Sequence, residues 1–280
     1  MRKNDISTTV LPKNYFEGKD GTNFRFTILK DVAVAGNANP IPYEDSNRDE
    51  ILGLYDKYKD FTLYIHFPWC IEHCSYCHYY RGPILKQDEL KRMLGAERKL
   101  AEMMDEWIDL KNRNINSIYF GGGTPTVITA ELLEEALEFW VGRYGQKGDC
   151  EICVESSIIT LRPKKIDILE KYVDRLSIGV QSFDDRILKI VDRKHTAAQA
   201  EEVLKELVPR FPSVNIDLIY GLCEQSLDGW LKTVETGINT KAQSFTIYRL
   251  DIRDVPSIIN TFRQEPEKFP DEQMCRRMYE

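Results

Sequence analysis

Three cysteines, Cys70, Cys74 and Cys77, are spaced C-x3-C-x2-C inside residues 61–80 of this chain. Three thiolates on one loop can hold three irons of a cubane cluster and leave the fourth iron without a ligand from the loop. An open metal position is what a catalytic centre keeps and a structural one fills. Tyr76, just before the third cysteine, would give an aromatic wall beside that open corner. A zinc site is the competing reading. His73 or His78 would complete a Cys3His set, but the second C-x2-C knuckle that zinc modules usually carry is missing nearby.

A loop of this kind needs a rigid base. The apolar run 63–67 reads as a buried strand that Pro68 ends. Beyond it, strands and helices alternate. Strands are expected at 61–67, 117–120, 151–155, 175–180, 213–218 and 244–250. Helices are expected at 88–110, with Leu90, Met93, Leu94 and Leu100 on one face, and at 129–144, 163–172, 183–191, 197–209 and 227–238. Thr129 is a candidate N-cap, and Pro163 sits in the first turn of its helix. Six strands separated by helices are the signature of an α/β fold, a parallel sheet or partial (β/α)6 TIM-like barrel. Chemistry in such folds sits at the C-terminal strand ends, where the cysteine loop lies.

The other strand ends also carry candidates. The second ends in Gly121-Gly122-Gly123-Thr124-Pro125, glycines that permit close backbone approach; taken alone this is a tight turn. The third ends at Glu155. Arg193, twelve residues after Gln181, has a guanidinium that could hold a carboxylate bidentately or form a surface salt bridge. Asp217 interrupts an apolar run, so burial with hydrogen-bond partners is expected.

The cysteine spacing with an aromatic before the last cysteine resembles the radical S-adenosylmethionine (SAM) superfamily. Membership implies a [4Fe–4S] cluster held by Cys70, Cys74 and Cys77. It also implies SAM bound at the open iron and cleaved by one electron to a 5′-deoxyadenosyl radical. Within the superfamily, the strand-end motifs resemble oxygen-independent coproporphyrinogen III oxidase and its relatives. That resemblance implies SAM contacts at Tyr64, Gly123, Thr124, Glu155, Gln181, Arg193 and Asp217, with Gly122 in the glycine motif that meets the methionyl amino group and Tyr76 beside the cofactor. It further implies a small-molecule substrate such as a tetrapyrrole, and a reducing electron donor such as flavodoxin or ferredoxin. The oxidase carries a further cysteine where this chain has Tyr79. Heme chaperones of the family carry an aromatic there, yet usually an acidic residue where this chain has His78, and Cys223 stands in place of the usual proline. A radical enzyme, a class C radical SAM methyltransferase and a heme chaperone are therefore the readings that compete.

Composition narrows the partners. The chain has 280 residues, 42% hydrophobic, with a net charge of −7, which removes the electrostatic case for nucleic-acid binding. No apolar run is long enough to span a membrane. Residues 1–10 lack an apolar signal core, so a cytoplasmic protein is expected. Seven cysteines suit a reducing compartment. Cys150 and Cys153 read as buried thiols at the start of a strand rather than a second metal site.

The expected organisation is an N-terminal extension over 1–60, the barrel over 61–255, and an incomplete C-terminal region over 256–280. In the extension, 24–29 suggests a short strand, 37–42 a turn and 50–58 a short helix. The stretch 270–280 opens like a helix with Met274 and Met278 on one face. It carries no stop signal, so truncation of a longer protein is expected.

Overall fold

The computed structural model describes residues 52–53, 55–79, 82, 84–145, 150–252 and 256–280. The strand expected at 24–29, the turn at 37–42 and the first part of the helix at 50–58 lie outside the described residues.

Six strands pair in parallel in the order of the sequence: β1 (Asp60–Phe67), β2 (Asn114–Gly122), β3 (Glu151–Ser157), β4 (Arg175–Gln181), β5 (Ser213–Tyr220) and β6 (Ser244–Arg249). The crossovers carry α1 (Gln87–Ile108), α2 (Ala130–Tyr144), α3 (Pro163–Tyr172), α4 (Asp185–Ile190), α5 (Ala197–Leu207) and α6 (Leu227–Asn239). After β6 come α7 (Pro256–Gln264) and α8 (Glu272–Tyr279). This is the six-stranded α/β arrangement expected of a partial barrel.

Alternation divides the sheet into two unlike faces. Ile65 and Phe67, Ile118 and Phe120, Ile152 and Val154, Leu176 and Ile178, and Val214, Ile216 and Leu218 are buried in one core. The same core takes the apolar stripes of α1, α2, α3 and α5. The opposite face carries Thr62, Tyr64 and His66, then Ser117 and Tyr119, then Glu155, Ser177, Asn215, Asp217 and Thr246. Barrel interiors are usually filled with branched aliphatics; this one is lined with hydroxyls, rings and carboxylates. Such a face is costly to pack and suited to a polar ligand.

Helix starts follow local chemistry. The Thr129 side chain caps α2 by accepting from the Leu132 N–H, and α3 begins at Pro163. Asp271 accepts from the Met274 N–H at 2.7 Å and starts α8, so Pro270 precedes the cap instead of opening the helix. Cys275 and Met278 bury one face of α8, and the Trp230 indole N–H donates to the Met278 carbonyl at 2.7 Å. That bond ties α8 to α6.

Several expectations need correction. On α1 the buried stripe is Leu90, Leu94, Ala101, Met104 and Ile108; Met93, at the stripe's edge, is 40% exposed. Strand β2 starts at Asn114, because Asn114 and Ile115 already pair with Asp60 and Phe61 of β1, ahead of a bulge before Ser117. Strand β3 runs past Glu155, with Ser156 and Ser157 buried against Ile178 and Gly179. Cys153 is fully buried, whereas Cys150 lies just before β3 and is half-buried.

Candidate functional site

The cysteine loop leaves the C-terminal end of β1 and is held from two sides. On one side is the glycine turn after β2. The Gly123 N–H donates to the Phe67 carbonyl at 2.6 Å, and the Thr124 N–H donates to the Trp69 carbonyl at 2.8 Å. A side chain at Gly123 would sit 2.6 Å from the Trp69 carbonyl oxygen and 2.9 Å from that of Phe67, both backbone atoms that cannot step aside. Gly122 has φ +113°, and a Cβ there would strike the His66 ring at 2.6 Å. These glycines therefore permit the chain to dock against itself, which places Thr124 Oγ1 3.6 Å from the Cys70 sulfur.

On the other side is Arg193, in the α4–α5 connection. Its guanidinium is 6% exposed and pairs with Glu72, 5% exposed, at 3.0 Å. One of its nitrogens lies 3.5 Å from the Cys74 sulfur. It also donates to the Ser157 hydroxyl at 3.4 Å and to the Gly179 carbonyl. Glu72 accepts from the Ser157 hydroxyl at 2.6 Å and from the Lys194 N–H at 2.8 Å. Of the two readings of Arg193, the surface salt bridge does not fit: its acid partner Glu72 lies in the interior and belongs to the cysteine loop. Glu72 was missed in the sequence, where the signal was a carboxylate placed between the first two cysteines.

Tyr76 lies beside the Cys74 and Cys77 thiols. Its ring packs among Ile187, Val191, Ile219 and Leu222 and against Cys223, Ile258 and Phe269. It fastens the loop to α4 and α7, and burial raises its phenol well above the usual value. Tyr79 is 64% exposed, with its ring 4.3 Å from that of His78.

The polar face continues from this loop. Glu155 accepts from the Tyr119 hydroxyl at 2.7 Å and the Gly122 N–H at 3.0 Å. Burial raises its carboxyl, against the pull of those bonds. Tyr64 stacks on Tyr119 at 5.8 Å, with its hydroxyl 3.3 Å from His66 Nδ1. Asp217 accepts from Asn215 Nδ2 at 2.8 Å and lies 3.4 Å from the Ser177 hydroxyl. Burial, then the charge on Glu155, pushes its carboxyl up to about 6. The expected hydrogen bonds are present, but the residue is half-buried, because it faces the polar cavity side and not the helices. Gln181 takes a left-handed φ of 73° after a bulge in β4, and its amide folds back over Gly179. A non-glycine residue in that region is uncommon and carries backbone strain.

Two buried polar atoms around this face lack a partner, Gln181 Oε1 and Arg193 Nε. Each is costly to leave unmade. A polar ligand with its own donors and acceptors would satisfy them. Among the described residues no group of three His, Cys, Asp or Glu converges as a single ion would need. A cubane instead takes each thiolate on a different iron. The structure thus brings Cys70, Cys74, Gly122, Gly123, Thr124, Glu155, Gln181 and Arg193 to one end of the sheet. Cys77 is on the same loop, while Tyr64 and Asp217 lie further along the polar face. No described helix is long and apolar enough to cross a membrane.

Comparison with known proteins gives the following. The radical SAM superfamily matches residues 64–236. The heme chaperone HemW of Haemophilus influenzae is 30% identical over 218 residues, covering 75% of this chain and 55% of that protein. The mitochondrial radical S-adenosyl methionine domain-containing protein 1 of Bos taurus is 28% identical, covering 78% of this chain and 49% of its own. Among solved structures, coproporphyrinogen III oxidase (HemN) from Escherichia coli superposes with a TM-score of 0.73 at 22% identity, over 82% of this chain and 54% of that one. The chain spans about half the length of the curated relatives it matches.

Proposed function

The chain belongs to the radical SAM superfamily, whose members use a [4Fe–4S] cluster and SAM, and we propose that it works as a radical SAM enzyme on a tetrapyrrole or related organic substrate. In this reading Cys70, Cys74 and Cys77 ligate the cluster. Bound together, cluster and SAM would supply a 5′-deoxyadenosyl radical for hydrogen abstraction. The observation that carries the reading is the docking of the cysteine loop onto the glycine turn at the open end of a polar-faced sheet. The donor set fits: three thiols on one loop, with two orphaned polar atoms beside it.

The chain's own residues have separable roles in this proposal. The turn at Gly122, Gly123 and Thr124 lines the approach to Cys70 and meets the amino acid end of SAM. Glu155, held by Tyr119, and Asp217, held by Asn215, present acceptors to ribose hydroxyls or the amino group. Gln181 offers its unpaired oxygen to a donor of the same ligand. Arg193 is better described as the clasp of the cysteine loop than as a free carboxylate fork, since its nearest acid is Glu72. Tyr64 and Tyr119 form a ring pair against which a flat group can lie. Thiolate ligation suits a reducing compartment, so we place the protein in the cytoplasm with a flavodoxin or ferredoxin as donor.

A second reading has support of its own. Curated relatives carry the name heme chaperone, and exposed Tyr79 stands where the oxidase has a further cysteine. On that reading the same site is kept and the protein delivers heme without consuming it. One experiment decides between them. Protein reconstituted anaerobically and reduced with dithionite is incubated with SAM, with coproporphyrinogen III or heme, and followed by mass spectrometry. Formation of 5′-deoxyadenosine with a modified tetrapyrrole supports the enzyme. Stoichiometric heme binding and transfer with no modified product supports the chaperone. Neither signal from a protein carrying its cluster would overturn both.

A further inference from the structure

Glu72 lies inside the cysteine loop, buried, with both oxygens used. Among the described residues its ion-pair partner is Arg193, and Arg193 touches the Cys74 sulfur. The resulting line is carboxylate, guanidinium, sulfur. A buried arginine with a hydrogen bond to a cluster thiolate stabilises negative charge there. Hydrogen bonds to the sulfurs and local net charge are levers that set the potential of an iron–sulfur cluster. A carboxylate 3.0 Å from that arginine offsets its charge and fixes its direction. We infer that Glu72 and Arg193 together tune the reduction potential of the cluster, Arg193 by raising it through Cys74 and Glu72 by restraining that effect as a positioning residue. The inference rests on the reading of Cys70, Cys74 and Cys77 as cluster ligands.

The two partners carry opposite charge, so their removal must act in opposite directions. A merely structural pair would give variants that fail in the same way. The test is a potentiometric titration of the reconstituted chain, following the electron paramagnetic resonance signal of the reduced cluster. Glu72→Gln leaves the arginine charge uncompensated and is expected to shift the midpoint to higher potential. Arg193→Gln removes charge and donor and is expected to shift it lower. The double variant is expected to lie between the two. Shifts of the same sign, or none in proteins with a full complement of iron, overturn the proposal.

Poor iron uptake in Glu72→Gln does not end the test. The double variant then decides, because it removes the uncompensated charge: recovered iron content supports the pairing and unrecovered iron overturns it. Wild-type protein that assembles no cluster under the same conditions overturns the cluster reading itself, and this proposal with it.

Discussion

Replacing Asp217 by asparagine is expected to make the protein more stable at neutral pH, within a defined window. In the fold the carboxyl is raised from 3.8 to about 6, chiefly by burial and next by Glu155, while bonds from Thr246, Asn215 and Ser177 pull it down. A raised acid holds its proton more tightly in the native state. Its favourable contribution is therefore complete below pH 3.8 and is lost as pH rises through 6. A shift of roughly two units corresponds to ~3 kcal/mol. Asparagine keeps the shape and an acceptor for the Asn215 amide, and can donate to the Ser177 hydroxyl. Above pH 7 the variant should be ~1–3 kcal/mol more stable, raising Tm by ~2–6 °C. Near pH 4 wild type is itself largely protonated and the difference should shrink toward zero. Calorimetric scans from pH 4 to 8 measure both limits. A variant no more stable at pH 8, or one whose Tm runs parallel to that of wild type at every pH, would refute the reasoning. The same variant should bind SAM more weakly, which would explain why a residue that costs stability is there.

Replacing Cys70, Cys74 or Cys77 by alanine is expected to remove most of the iron and all reductive SAM cleavage. Far-ultraviolet circular dichroism should be retained, since none of the three belongs to the main core; iron analysis and product assay check both. Gly123→Ala should destabilise by ~2–3 kcal/mol in urea titration, because backbone oxygens flank the new methyl. Gly95→Ala, in the interior of α1 with nothing within 4 Å, should stabilise by ~0.5–1 kcal/mol. Trp230→Phe leaves the Met278 carbonyl unpaired; a loss of ~1–2 kcal/mol is expected, with faster amide exchange in α8.

The sheet was legible because each strand buries one face under helices. Runs such as Leu176 to Val180 and Val214 to Leu218 kept their apolar beat and were placed within a few residues. Thr129 announced its helix by chemistry that acts within four residues. The polar start of β2 escaped, since Asn114 to Asn116 carry no apolar alternation of their own and only the pairing of Asn114 and Ile115 with β1 makes them strand. The apolar packing of Tyr76 could not be read from the sequence, as its neighbours come from α4, β5 and α7, remote in the chain. Glu72 was invisible in the same sense. Beside two cysteines it reads as a charge on a loop, and only the return of Arg193 across the sheet buries it.

Strand order that repeats chain order gives the molecule a direction of assembly. Each new strand pairs with the one made just before it, so the sheet can grow at a single edge as the ribosome delivers it. The cysteine loop is made early, with β1, and its glycine partner follows with β2. Arg193 comes 119 residues after Cys74, so its contact with the loop forms only once that later stretch has been made. That second contact therefore waits on β4 and α4, which both precede Arg193 in the chain.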